Sequence, residues 1–129
     1  MKTKTVLYWV TTSLVASELL WGAEWDLTRQ PHVVAVFVHL GYPLYLLTIL
    51  GVWKVLGGMV LLVPRFTRLK EWAYAGAFFE MSGALLSHVA RGDPASEFGV
   101  PLAFSVLTLT SWALRPPERT LGTLFQARE

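Results

Sequence analysis

Lys54 sits in Gly51-Val-Trp-Lys-Val-Leu-Gly-Gly58, in the middle of an apolar run from Val33 to Val63 whose only other basic or acidic side chain is His39. An ammonium near the centre of a bilayer costs roughly 2.5–3.5 kcal/mol on insertion scales, so it must face a partner or a cavity. The next apolar run offers an acid, Glu80, in Tyr74-Ala-Gly-Ala-Phe-Phe-Glu-Met-Ser-Gly83. Measured from the run ends at Val63 and Lys70, both residues lie roughly 14–15 Å deep at the helical rise of about 1.5 Å per residue. A second acid, Glu18, belongs to the first apolar run and lies roughly 20 Å along it from Thr5, about a turn above the other two. A lysine and a carboxylate in apolar surroundings can act as an acid–base pair on a bound molecule, or as an ion pair that fixes helix register. With two inward acids for one lysine, the surplus carboxyl of Glu18 is the better proton-donor candidate. Lys54, Glu80 and Glu18 are therefore the candidate catalytic residues.

Five further residues are candidate ligand contacts: His39, Tyr42, Trp53, Ser87 and His88. His39 and His88 fall at one outer level, where a two-histidine metal or haem site is conceivable. No further ligand pattern accompanies them, so no metal is assigned and haem is not favoured. Tyr42 and Tyr45 read first as interfacial anchors.

The elements that must position these residues follow from hydropathy. The chain has 129 residues, 53% hydrophobic and only 16% charged, with a mean hydropathy of +0.46. That composition suits one integral membrane domain over residues 1–129 rather than a soluble enzyme. The absence of cysteine excludes thiolate catalysis, disulfides and Cys-ligated metal centres. The pI of 9.2 does not indicate nucleic acid, since the basic residues flank apolar segments and form no stripe with interleaved aromatics.

Four spans are expected, at about 5–23, 43–63, 71–90 and 98–114, the last at the lower limit of length for crossing. The first reads as retained rather than as a cleaved signal, because its apolar stretch is long and its cleavage pattern poor. Gly41-Tyr42-Pro43 divides the 33–63 run, leaving a short interfacial helix from Val33 to Leu40 before the second span. The polar segment from Glu24 to Pro31 is read as ending the first span. Lys2, Lys4, Arg65, Arg68, Lys70, Arg115, Arg119 and Arg128 fall on one side and Arg29 and Arg91 on the other. The positive-inside rule then puts both termini and the 64–71 loop in the cytoplasm. Trp9, Trp21, Trp25, Trp72 and Trp112 fall near span ends as an aromatic belt, leaving Trp53 as the mid-span tryptophan.

At 100° per residue, Gly76, Glu80, Gly83 and Ser87 share one face of the third span, with Tyr74, Phe78, Met81 and Leu85 opposite. The small face is expected to point inward, because close backbone approach drives helix association in lipid. Gly51, Lys54 and Gly58 on the second span, Thr11, Val15, Glu18 and Gly22 on the first, and Pro101, Ser105, Thr108 and Trp112 on the fourth form matching stripes. The fold class expected is all-α, a left-handed four-helix transmembrane bundle with a polar core. Gly57, Ala77 and Ala84 add small residues beside the stripes, which predicts a homodimer or small homo-oligomer.

Several segments together resemble the DoxX-like family of small four-helix membrane proteins, within the wider DoxX/DoxD group. They are His39-Leu-Gly-Tyr-Pro43, Leu50-Gly-Val-Trp-Lys-Val-Leu-Gly57, Pro64-Arg-Phe66, Leu69-Lys-Glu-Trp-Ala-Tyr-Ala-Gly76, Ser87-His88, Gly92-Asp93 and Ser111-Trp-Ala-Leu-Arg-Pro-Pro117. The resemblance implies four membrane helices in a bacterial cytoplasmic membrane and leaves activity open. The group takes its name from a subunit of an archaeal thiosulfate:quinone oxidoreductase, and a distant branch resembles animal chaperones for ion-channel assembly. The reading favoured is an intramembrane pocket around Lys54 for a small lipid-soluble molecule: a quinone, another carbonyl or an epoxide. The alternative is a non-enzymatic accessory or assembly subunit. Ion transport ranks below both, because one lysine and two acids make a poor relay through four short helices.

Overall fold

Helix breaks fall where proline and left-handed backbone put them. The computed structural model describes residues 2–121 and contains α1 (Lys2–Thr28), α2 (Pro31–Leu40), α3 (Tyr45–Leu62), α4 (Thr67–Ala90), α5 (Ala95–Ala113) and a 3₁₀ turn at Pro117–Arg119, with no strand among those residues. Arg29, at φ 51°, turns the chain after α1, and Pro31 opens α2, where its missing N–H costs nothing. Gly41 closes α2 at φ 84°, so that its own N–H and that of Tyr42 reach the carbonyls of Val38 and Phe37. Arg65 and Phe66, both at positive φ, make the turn from α3 to α4.

The four long helices form a ring: α1 packs against α3 and α5, and α4 packs against the same two, while α2 makes no comparably extensive contact. The closest approach is α1 to α3. A Cβ on Gly51 would stand 2.6 Å from Leu27 Cγ, and one on Gly58 would stand 2.8 Å from Leu20 Cγ. Two glycines seven residues apart thus receive two leucines seven residues apart, in antiparallel register. Val15, Leu19, Leu61, Tyr74 and Ala77 make the apolar core, and Ser111 accepts or donates hydrogen bonds to Thr12 (2.6 Å) and Tyr74 (2.7 Å) beside it.

The inward stripes of α1 and α3 are as the spacing predicts, since Thr11, Val15, Gly22, Gly51, Lys54 and Gly58 are buried and Glu18 is half-buried. On α4 the expectation is corrected. Its buried residues are Lys70, Tyr74, Ala77, Met81 and His88, whereas a Cβ on Gly76 or Gly83 would meet nothing within 4 Å. The helix is turned by roughly 120° from the orientation that the small residues suggested, with Glu80 at the border between the two faces. On α5, Ser105 and Thr108 are buried as expected, but Ser111 takes the place of Trp112, which is 44% exposed. Ala77 belongs to the core of its own chain, which leaves it no surface to offer a second copy.

Three basic residues expected as loop cations are in fact buried: Lys70, Arg115 and Arg119. The Lys70 ammonium donates to the carbonyls of Val60 and Val63, and Arg119 donates to Leu61 O at 3.1 Å, so both cations cap the orphan carbonyls and negative dipole end of α3. Arg115 pairs with Glu71, which also accepts from Trp112 Nε1 at 3.0 Å. Arg128, counted with the same basic side, lies outside the described residues.

The outer surface of the ring is apolar. Trp21, Trp53, Trp72, Phe79, Leu86 and Val100 are between 63% and 78% exposed, while Asp26 and Lys54 are 3% and 8% exposed. By length and composition, one helix among the described residues, Tyr45–Leu62, is apolar enough to cross a membrane, at a mean hydropathy of 1.9.

Candidate functional site

Lys54 is held from two sides. Its Nζ lies 2.9 Å from Oδ2 of Asp26 on α1 and 3.0 Å from Oε1 of Glu80 on α4. The three side chains are 9%, 5% and 19% exposed, so the ion pairs are largely shielded from solvent. The pairing of Lys54 with Glu80 is the one that their equal depth suggested. Asp26 was not anticipated, because the polar segment from Glu24 was read as the end of the span. Its signal was present: position 26 continues the 11-15-18-22 stripe by one more helical step, and α1 runs on through it to Thr28.

Glu18 joins the same group. A Cβ on Gly22 would stand 3.0 Å from Glu18 Oε1 and 3.1 Å from Lys54 Nζ, so the glycine leaves the room in which the carboxyl and the ammonium approach each other. An ammonium has three N–H donors, of which Asp26 and Glu80 take two. The third is available to Glu18 or to a bound molecule. One lysine among three carboxyls makes the site richer in acid than the sequence reading supposed.

Glu18, Asp26, Lys54 and Glu80 line one cavity of about 410 Å³. Val33, Val36 and Phe37 of α2 close it on one side, and Tyr42, Ser87 and His88 line the same space. The structure therefore brings together Lys54, Glu80, Glu18, Tyr42, Ser87 and His88 of the expected set. Trp53 stands apart from this cavity, on the outer surface between α3 and α4.

His39 does not line the cavity but holds the helix that closes it. Its Nε2 donates to Asp93 at 2.7 and 2.9 Å, and His88 Nδ1 donates to the same carboxylate at 2.7 Å. The two histidines, read as lying at one outer level, thus share a single carboxylate, that of Asp93. Tyr42 adds a second tie, donating to Ser87 Oγ at 2.5 Å, while Ser87 donates to Gly83 O. Since α2 has no buried residue, these polar contacts at its C-terminal end are a large part of what fixes it. The hydrogen bonds from His88 and His39 hold the Asp93 carboxyl below the usual carboxylate range. A depressed carboxyl pKa contributes stability that is present above the unfolded value of about 3.9 and is lost as the pH falls through the folded one. Asp93→Asn is accordingly expected to lower the thermal midpoint and to speed hydrogen exchange across α2 at pH 7. The gap in midpoint between wild type and variant should close in acid, below about pH 4. A gap that persists unchanged at pH 3 would count against the latch.

Comparison with known proteins settles the relationship, since the model of the DoxX-like family matches residues 10–111. The chain belongs to the DoxX-like family. No curated protein and no solved structure matches it. In this DoxX-like chain the matched segment contains Glu18, Asp26, Lys54 and Glu80 together with the His39–Asp93–His88 cluster. It ends before Arg115 and Arg119, which close the opposite end of the bundle.

Proposed function

We propose that this DoxX-like protein crosses the bacterial cytoplasmic membrane along α1, α3, α4 and α5, with both termini inside, and binds a small lipid-soluble molecule in its polar cavity. The ligand carries an oxygen that accepts from Lys54, as a quinone, another carbonyl or an epoxide would, and Glu18 is the group placed to give or take a proton. The observation that carries this reading is a cavity of about 410 Å³ at which one lysine and three carboxyls converge within an apolar shell. Polar interior and apolar exterior is the distribution that a lipid solvent favours, and it supports the four-span topology. Protein purified in detergent is expected to carry a ligand detectable by mass spectrometry, and Lys54→Met to lose it. Wild type that carries nothing and gains no thermal stability from any quinone would remove the reading.

A second reading has its own support: the ion pairs of Lys54 tie α1 and α4 to α3, as a purely structural centre would. An accessory subunit held together in this way keeps its fold and its partners when the whole centre is made apolar. Loss of ligand from such a variant, with the fold intact, sinks that alternative.

A further inference from the structure

A second cavity meets the first at the ion pair. A groove of about 550 Å³ runs along the outside of the bundle between α3 and α4, and Leu50, Lys54, Phe79 and Glu80 line both it and the polar cavity. Apart from Lys54 and Glu80, every residue of the groove is aliphatic, aromatic or glycine. Leu19 of α1 reaches its floor, and Leu69 and Trp72 lie at the end nearest the α3–α4 turn. From Glu80 to Trp72 the groove extends eight residues of α4, roughly 12 Å at the helical rise. Its walls are kept low by two glycines: a Cβ on Gly57 would first meet Leu19 at 3.8 Å, and one on Gly76 would meet nothing within 4 Å.

We propose that the ligand is an amphiphile, whose oxygen-bearing head lies against Lys54 in the polar cavity and whose single apolar chain lies in the α3–α4 groove. This rests on the head site proposed above and adds the ligand's shape and its route, which is lateral, from the lipid. Charged side chains stand only at the Lys54–Glu80 end of the groove, so an oxygen-bearing head is held there and the chain follows the apolar wall. A second copy of the protein fits less well. Since α3 and α4 are themselves in contact, a helix about 10–12 Å across with its side chains would rest on the rim of the slot rather than enter it.

The test uses the full chain in detergent with two probes, 2,3-dimethoxy-5-methyl-1,4-benzoquinone and the same ring bearing a decyl chain. Both are titrated against wild type, Gly76→Leu and Gly57→Leu, with circular dichroism and thermal melting to establish that each variant folds. Wild type is expected to bind the decyl probe roughly tenfold tighter than the bare ring. Both variants should lose that advantage while binding the bare ring as wild type does. Comparing variants at one detergent concentration cancels partition of the chain into micelles. A decyl probe bound equally by all three proteins, with the bare ring also bound, overturns the chain groove and leaves the head site standing. Binding of neither probe overturns both. Dissociation of a wild-type oligomer by Gly76→Leu, with decyl affinity unchanged, overturns the proposal in favour of a contact between copies.

Discussion

Lys54→Met is expected to lower the stability of the protein by about 3–5 kcal/mol, because it leaves buried carboxylates without their counter-charge. Asp26 and Glu80 both lose their ion-pair partner in that variant, and Glu18 loses the nearest positive charge. Neutralising Glu80 alone does not repair the loss, since Asp26 at 5% side-chain exposure remains stranded. The combination Lys54→Met, Glu18→Met, Asp26→Leu, Glu80→Met should regain most of the stability, as replacing a whole buried ionic group by apolar residues of similar volume is often neutral or better. Unfolding in mixed micelles, followed by circular dichroism, separates the variants. A single Lys54→Met protein as stable as wild type would mean that the carboxyls are not charged against it. The same series addresses function, because only the ligand-site reading requires Lys54 itself once the charges are balanced.

The second large effect concerns glycines that look equivalent in the sequence. Gly51→Ala and Gly58→Ala should each destabilise by about 1–3 kcal/mol, the usual range for forcing extra atoms into a packed interface. In both cases the new Cβ falls under 3 Å from a leucine of α1, so α1 and α3 must separate or the leucine must leave its rotamer. Gly76→Ala and Gly83→Ala on α4 face open space, and there alanine's better helix propensity should stabilise by up to about 1 kcal/mol. Melting of the four variants in the same detergent gives the comparison. Equal effects at all four positions would contradict the packing described.

The contrast between these glycines marks the limit of the helical wheel. Residue spacing determines the angle between two side chains on one helix, and that is why the sequence alone placed Gly51, Lys54 and Gly58 on a common face, and Thr11, Val15 and Gly22 on another. It also determined the depth match of Lys54 and Glu80, the helix break at Gly41-Tyr42-Pro43 and the family, all of which rest on local chemistry or on order along the chain. Spacing does not set the zero of rotation. On α4 the small stripe could be buried by close approach or left bare, and only the neighbours decide: Tyr74 finds Ser111, Ala77 and Tyr74 join the core, and the stripe with Gly76 is left facing a groove.

Tertiary structure likewise decided the polar residues whose meaning depends on a distant partner. Asp26 looked like the end of a span because an isolated carboxylate is costly in an apolar helix, but Lys54 at 2.9 Å removes that cost and the helix continues. Asp93 follows the left-handed Gly92 just after α4, and the fold brings His39 from 54 positions away to the carboxylate that His88 already holds. Lys70 and Arg119 looked like topology signals, and the carbonyls of α3 gave them a second use as caps. In each case the side chain's own chemistry was legible from its type, while its role depended on which group the packing of the four helices set within hydrogen-bond distance.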